Sequence, residues 1–146
     1  MKELASNRLY QFPFKEYKYI SDLIDVEGPL LVHYMNGERH ALYYWVEGDA
    51  KFNRWLCFEI TWSDFYNYLR KHISLHEIIQ KKENECFYAV DIDQDLKYSN
   101  SQMIQGYALP DEYKPDVSSF YLDEIDPIYQ EMFNVLRNSH TKMPLR

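Results

Sequence analysis

The sequence predicts a single α+β domain: an antiparallel sheet of about four to five strands, built on two consecutive hairpins and packed by three to four helices. Three observations carry this. Strand-prone runs come together before the helical ones, which favours an antiparallel sheet over a parallel βαβ arrangement. Asn36-Gly37 stands between two such runs in PLLVHYMNGERHALYYWV, and that dipeptide suits a two-residue hairpin turn. After Ile60 the apolar spacing changes from every second residue to a helical period.

Taken in order, Tyr17, Ile20, Leu23 and Ile24 recur at helical spacing and Gly28-Pro29 stops the segment, so residues 17–26 read as a helix, with a short strand as the alternative. With Asn36-Gly37 as the loop, the register places Met35 opposite Glu38, Tyr34 opposite Arg39 and His33 opposite His40. One hairpin face then carries Val32, Tyr34, Ala41, Tyr43 and Trp45, and the other Leu31, His33, His40, Leu42 and Tyr44. Neither face is plainly polar, so both are expected to be at least partly covered.

A third strand over residues 54–61 alternates Leu56, Phe58 and Ile60 against Trp55, Cys57 and Glu59, joined through the polar loop EGDAKFN. Trp62, Phe65, Tyr66 and Leu69 follow as a helical stripe with Thr61 or Ser63 as cap. Ser74-Leu-His-Glu77 is a capping box that opens a short helix. A fourth strand runs over 86–93, and an edge strand is expected near 103–108. Asp126-Pro127 then starts a last helix with Ile128, Tyr129, Met132, Phe133 and Leu136 on one stripe. The N-terminal arm 1–16 and the tail 139–146 carry no such pattern and read as flexible.

The chain of 146 residues fits one domain spanning 1–146, and its 46% hydrophobic content is far from that of disordered chains. Cys57 and Cys86 lie in apolar runs, and MKELASNRLY has no apolar leader core, so the expectation is a cytoplasmic protein with reduced thiols and no membrane association. Net charge is −7 and uneven: residues 85–131 hold 11 acidic against 2 basic side chains, a local balance of −9. That region repels phosphate, which makes nucleic acid an unfavoured partner; it reads as a solvated face or as a docking surface for a basic protein.

With four glycines, few close backbone approaches are open to a phosphate group, and no G-x-S-x-G, P-loop, G-x-G-x-x-G or H-E-x-x-H sequence occurs. Catalysis is therefore not the leading expectation, and no cofactor is implied. Asp91 and Asp93 share a strand edge where carboxylates suit a hard cation, although the run does not fit an EF-hand loop. His33 and His40, read as cross-strand partners, are a second metal candidate that lacks further ligands at tetrahedral spacing. Tyr44, Arg54 and Trp55 are residue types that anchor protein interfaces, and equally ones that fill sheets; they form the candidate partner-binding patch.

The pattern YYWVEGDAKFNRWLCFEIT…ISLHEII…FYAVDID…LPDEYKPD resembles an uncharacterised family of small bacterial proteins, a domain of unknown function, over residues 28–121. The resemblance implies a bacterial single-domain protein and brings no activity. The leading functional expectation is a non-catalytic protein-binding or regulatory factor of accessory, immunity or defence type, with room for a homodimer. A small metal-dependent enzyme using Asp91 and Asp93, and a single-stranded nucleic-acid binder using sheet aromatics, are the alternatives.

Overall fold

A computed structural model describes residue 14 and residues 16–95 and 97–142, with 98, 99 and 135–142 as backbone only. The tail beyond 142 and most of the N-terminal arm lie outside the described residues. The architecture is α+β. Among the described residues one open antiparallel sheet of six strands follows chain order: β1 (Lys18–Asp25), β2 (Pro29–Asn36), β3 (Arg39–Gly48), β4 (Phe52–Ile60), β5 (Cys86–Asp93) and β6 (Tyr98–Gln105). Helices α1 (Trp62–Leu69) and α2 (Leu75–Gln80) fill the β4–β5 connection, and α3 (Pro127–Lys142) comes last, continuing through part of the stretch expected to be a flexible tail.

Two strands more than the lower expectation come from the ends of the sheet. Residues 18–25 are strand, not helix, because β1 pairs with β2 through three register shifts. Each bulge inserts a residue and breaks simple alternation, so apolar side chains return to one face after three residues, as Ile20 and Leu23 do. That spacing imitates a helix. At the other edge β6 stops at Gln105, earlier than the sequence suggests, since Gly106 opens a 3-10 turn. A Cβ on Gly106 would lie 2.0 Å from the carbonyl oxygen of Lys82, so the chain passes there only as glycine.

The β2–β3 hairpin slides from the expected register. Asn36 pairs with Arg39, Met35 with His40 and His33 with Leu42, leaving Gly37-Glu38 as the loop. Gly37 has φ +61° and Glu38 is not in the positive region, which is the type II′ pattern with glycine first. The glycine, not the asparagine, therefore decides the turn. The slip moves each residue's partner by two positions, so odd positions of β2 still share a face with even positions of β3. The two face assignments survive.

Local chemistry explains the helices. The Thr61 side chain accepts from the Asp64 amide, and Ser74 and Glu77 form the reciprocal capping box. α1 ends in a Schellman motif with Lys71 at φ +65°, its amide on the Tyr68 carbonyl and the His72 amide on that of Asn67. Asp126 caps α3 by accepting from the Ile128 amide at 2.9 Å.

The sheet has a core on each side. The helices cover Leu23, Leu31, Leu42, Leu56 and Phe58, together with Phe65, Leu75, Ile79, Tyr129 and Phe133. On the far side lie Val32, Tyr34, Tyr43, Trp55, Cys57 and Val90, with Tyr17 and Phe14 against them. Cys57 and Cys86 are both free thiols. Among the described residues, no helix is long and apolar enough to cross a membrane.

Candidate functional site

The expected patch of Tyr44, Arg54 and Trp55 is not one surface. Trp45 faces Trp55 across β3–β4 and Tyr44 faces Leu56, so the two tryptophans share the far side while Tyr44 belongs to the helix side. Trp55 has no exposed surface at all, and its indole Nε1 has no hydrogen-bond partner among the described residues. Its position as an anchor for a partner is corrected to a core position. Tyr44 is half-buried against the helix-side core, and burial raises its hydroxyl pKa.

Arg54 is committed inside the molecule. Its Nε and Nη2 donate to the two oxygens of Asp91 at 2.7 and 2.9 Å, and Nη1 donates to Glu47 and to the Tyr113 hydroxyl. The hydrogen bonding of the guanidinium to Asp91 is the first cause of the raised Arg54 pKa. Asp91 is buried and spends both oxygens on the guanidinium, while Asp93 accepts from the amides of Asp95 and Lys97 and so shapes the β5–β6 turn. This fork-to-carboxylate geometry is a structural tie, not a cation cradle. Among the described residues no three His, Cys, Asp or Glu side chains are grouped to hold a metal.

His33 and His40 are a different matter. Although diagonal and not directly opposed, their rings stack 12° from parallel, and His33 Nε2 lies 2.9 Å from His40 Nδ1. The other nitrogen of His33 meets the Tyr129 hydroxyl at 2.7 Å, and that hydroxyl in turn pairs with the Ser21 hydroxyl. Side chains from β1, α3, β2 and β3 thus form one hydrogen-bonded chain. It is sealed at its centre: His33 and Tyr129 have no exposed surface, and Phe65 lies 4.2 Å from the His33 ring, centre to centre.

Electrostatics follow from that burial. Desolvation, then the neighbouring His40, holds the His33 pKa well below 6.5, and desolvation alone lowers that of His40. Burial likewise raises the Tyr129 hydroxyl. Near neutral pH the chain is uncharged, with one proton for each link.

His40, itself only 4% exposed, is the link of the chain that borders open space. It lines a groove of about 580 Å³ between the β2–β3 turn and α3, with Met35, Trp62, Ile128 and Met132 as apolar walls and Glu38 and Glu131 beside them. On its other side a cleft of about 270 Å³ holds Arg39, Glu59, Thr61 and Lys82, with His40 and Trp62 as the shared wall. Arg39 is already bound by Glu59 and Lys82 by Glu85. The second nitrogen of His40, Nε2, has no hydrogen-bond partner among the described residues.

Sequence reasoning singled out both histidines but for a metal, and overlooked Tyr129, Ser21 and Trp62. Tyr129 sits in the apolar stripe of α3, and its hydroxyl was the only signal that the stripe carried more than packing. Comparison of the chain with protein-family models, curated proteins and solved structures gives no match.

Proposed function

We propose that the protein is a bacterial, cytoplasmic binding or regulatory factor that takes an apolar, positively charged segment of another protein into the groove beside His40. The observation that supports this most is the groove itself, whose apolar walls Met35, Trp62, Ile128 and Met132 are accompanied by the carboxylates of Glu38 and Glu131. Methionine and tryptophan give adaptable and large contact area, and carboxylates beside them select a cationic partner. The net charge of the whole chain, −7, has the same sign.

The rival readings have less support. A metal-dependent enzyme would need Asp91 and Asp93, which are engaged by Arg54 and by turn amides. A nucleic-acid binder would need exposed sheet aromatics, whereas Tyr34, Tyr43 and Trp55 are buried and the charge is unfavourable.

Selection of displayed peptides against the protein, with Met132→Glu as the counter-target, tests the proposal. Recovered sequences are expected to pair lysine or arginine with apolar residues and to lose binding to Met132→Glu by 10-fold or more, about 1.4 kcal/mol. Peptides that bind both proteins equally, or that are acidic, would contradict it.

A further inference from the structure

The Ser21–Tyr129–His33–His40 chain carries an inference separate from the groove's charge. Each link shares a single proton, so the chain has two self-consistent arrangements. In one, Ser21 donates to Tyr129, Tyr129 to His33 Nδ1, and His33 Nε2 to His40 Nδ1, which leaves His40 Nε2 as a donor. In the other every link is reversed: His40 Nδ1 donates to His33 Nε2, His33 Nδ1 to Tyr129 and Tyr129 to Ser21. His40 Nε2 then carries a lone pair, on a ring that lines the groove.

The second arrangement has the logic of an oriented general base. A proton taken at Nε2 makes His40 an imidazolium whose Nδ1–H is already held by His33, and His33 is held by Tyr129. Aligned dipoles do here what a carboxylate does in a triad, and Glu38 and Glu131 line the same groove as the new charge. A chain of this kind is costly to bury unless every member is satisfied. For packing alone, a phenylalanine and a leucine would serve at Tyr129 and His33.

We propose that His40, when no protein segment occupies the groove, is also a general base, positioned by His33, Tyr129 and Ser21, for a small uncharged substrate whose apolar body enters the groove and whose acidic C–H bond meets Nε2. The carboxylates beside the groove disfavour anionic substrates. Arg39 and Lys82, the nearby cations of the adjoining cleft, are engaged by Glu59 and Glu85, so among the described residues no free cation of these clefts is placed to hold an oxyanion. The reaction class is proton abstraction, not acyl transfer. The proton passes to Nε2 as the C–H pair becomes a π bond and a leaving group departs with its own bonding pair, so no carbanion has to be held beside Glu38 and Glu131, and the proton later leaves His40 to water.

The probe is 5-nitrobenzisoxazole, an uncharged aromatic whose ring C–H proton a base removes; the freed pair completes the nitrile as the N–O bond breaks to a coloured phenolate. Wild type is expected to exceed the same concentration of free imidazole by about 100-fold. His40→Asn, which keeps a partner for His33, should fall to the buffer rate with its melting temperature near that of wild type. Tyr129→Phe should keep turnover but move the rising limb of the pH profile to lower pH, because the imidazolium loses its support. If His40→Asn proves unfolded, acylation of His40 in folded wild type by diethyl pyrocarbonate must remove turnover instead. A wild-type rate no greater than that of imidazole, or one that survives loss or acylation of His40, overturns the proposal.

Discussion

On the far face of the sheet Trp55, Tyr43 and Val32 are fully buried, and the Trp55 Nε1 has no hydrogen-bond partner among the described residues. On the helix-packed face His33 and Tyr129 are buried just as deeply, yet their polar atoms are joined end to end and delivered to a groove. The two faces show that aromatic content and burial alone do not mark a site. Connection of polar atoms to an opening does, because a satisfied buried chain must be assembled residue by residue whereas packing tolerates substitutes.

The largest expected effect breaks the far face. Trp55→Ala removes a fully buried indole and should cost about 3–5 kcal/mol, lowering the melting temperature by on the order of 10 °C. An unchanged melting curve in calorimetry would mean that Trp55 is a surface residue after all. Next is the tie between Arg54 and Asp91, whose side chains are 24% and 8% exposed. Arg54→Leu leaves a carboxylate buried without its partner and should cost about 2–4 kcal/mol, less than a fully enclosed pair because the guanidinium keeps some solvent. Adding Asp91→Leu should recover most of that loss in chemical denaturation; additive losses would show that the tie is not what matters.

On the helix-packed face Tyr129→Phe keeps the ring and removes the hydroxyl that His33 and Ser21 share, for an expected loss of about 1–3 kcal/mol. A loss below about 0.5 kcal/mol in urea unfolding would indicate that water replaces the hydroxyl freely. The smallest effect is a pH dependence. Both histidines have folded pKa values below their unfolded value of 6.5. Between folded and unfolded values the unfolded chain binds more protons, so stability is full above about pH 7 and falls as pH drops through 6.5. The slope should reach about 1.4 kcal/mol per pH unit for each histidine, and His33→Leu should flatten it.

Much of the fold was legible in the residues. The capping box at Ser74, the cap at Thr61, the start of α3 at Pro127 and the bounds of β5 all follow from local chemistry. What misled was geometry that single residues do not announce. Bulges in β1 gave a strand a helical spacing, and a turn centred on Gly37 moved the hairpin register without disturbing its faces. The site was half legible: His33 and His40 stood out by type, but Tyr129 lies 96 residues from His33 and only the docking of α3 brings them together.

The central claim is that the buried chain governs His40, and a nitrogen-15 titration of the two imidazoles tests it most directly. His33 should stay neutral and singly protonated down to acid pH, while His40 titrates above His33 but below 6.5, with its midpoint lower in Tyr129→Phe. Two histidines that titrate independently near 6.5, indifferent to the loss of the Tyr129 hydroxyl, would contradict the account.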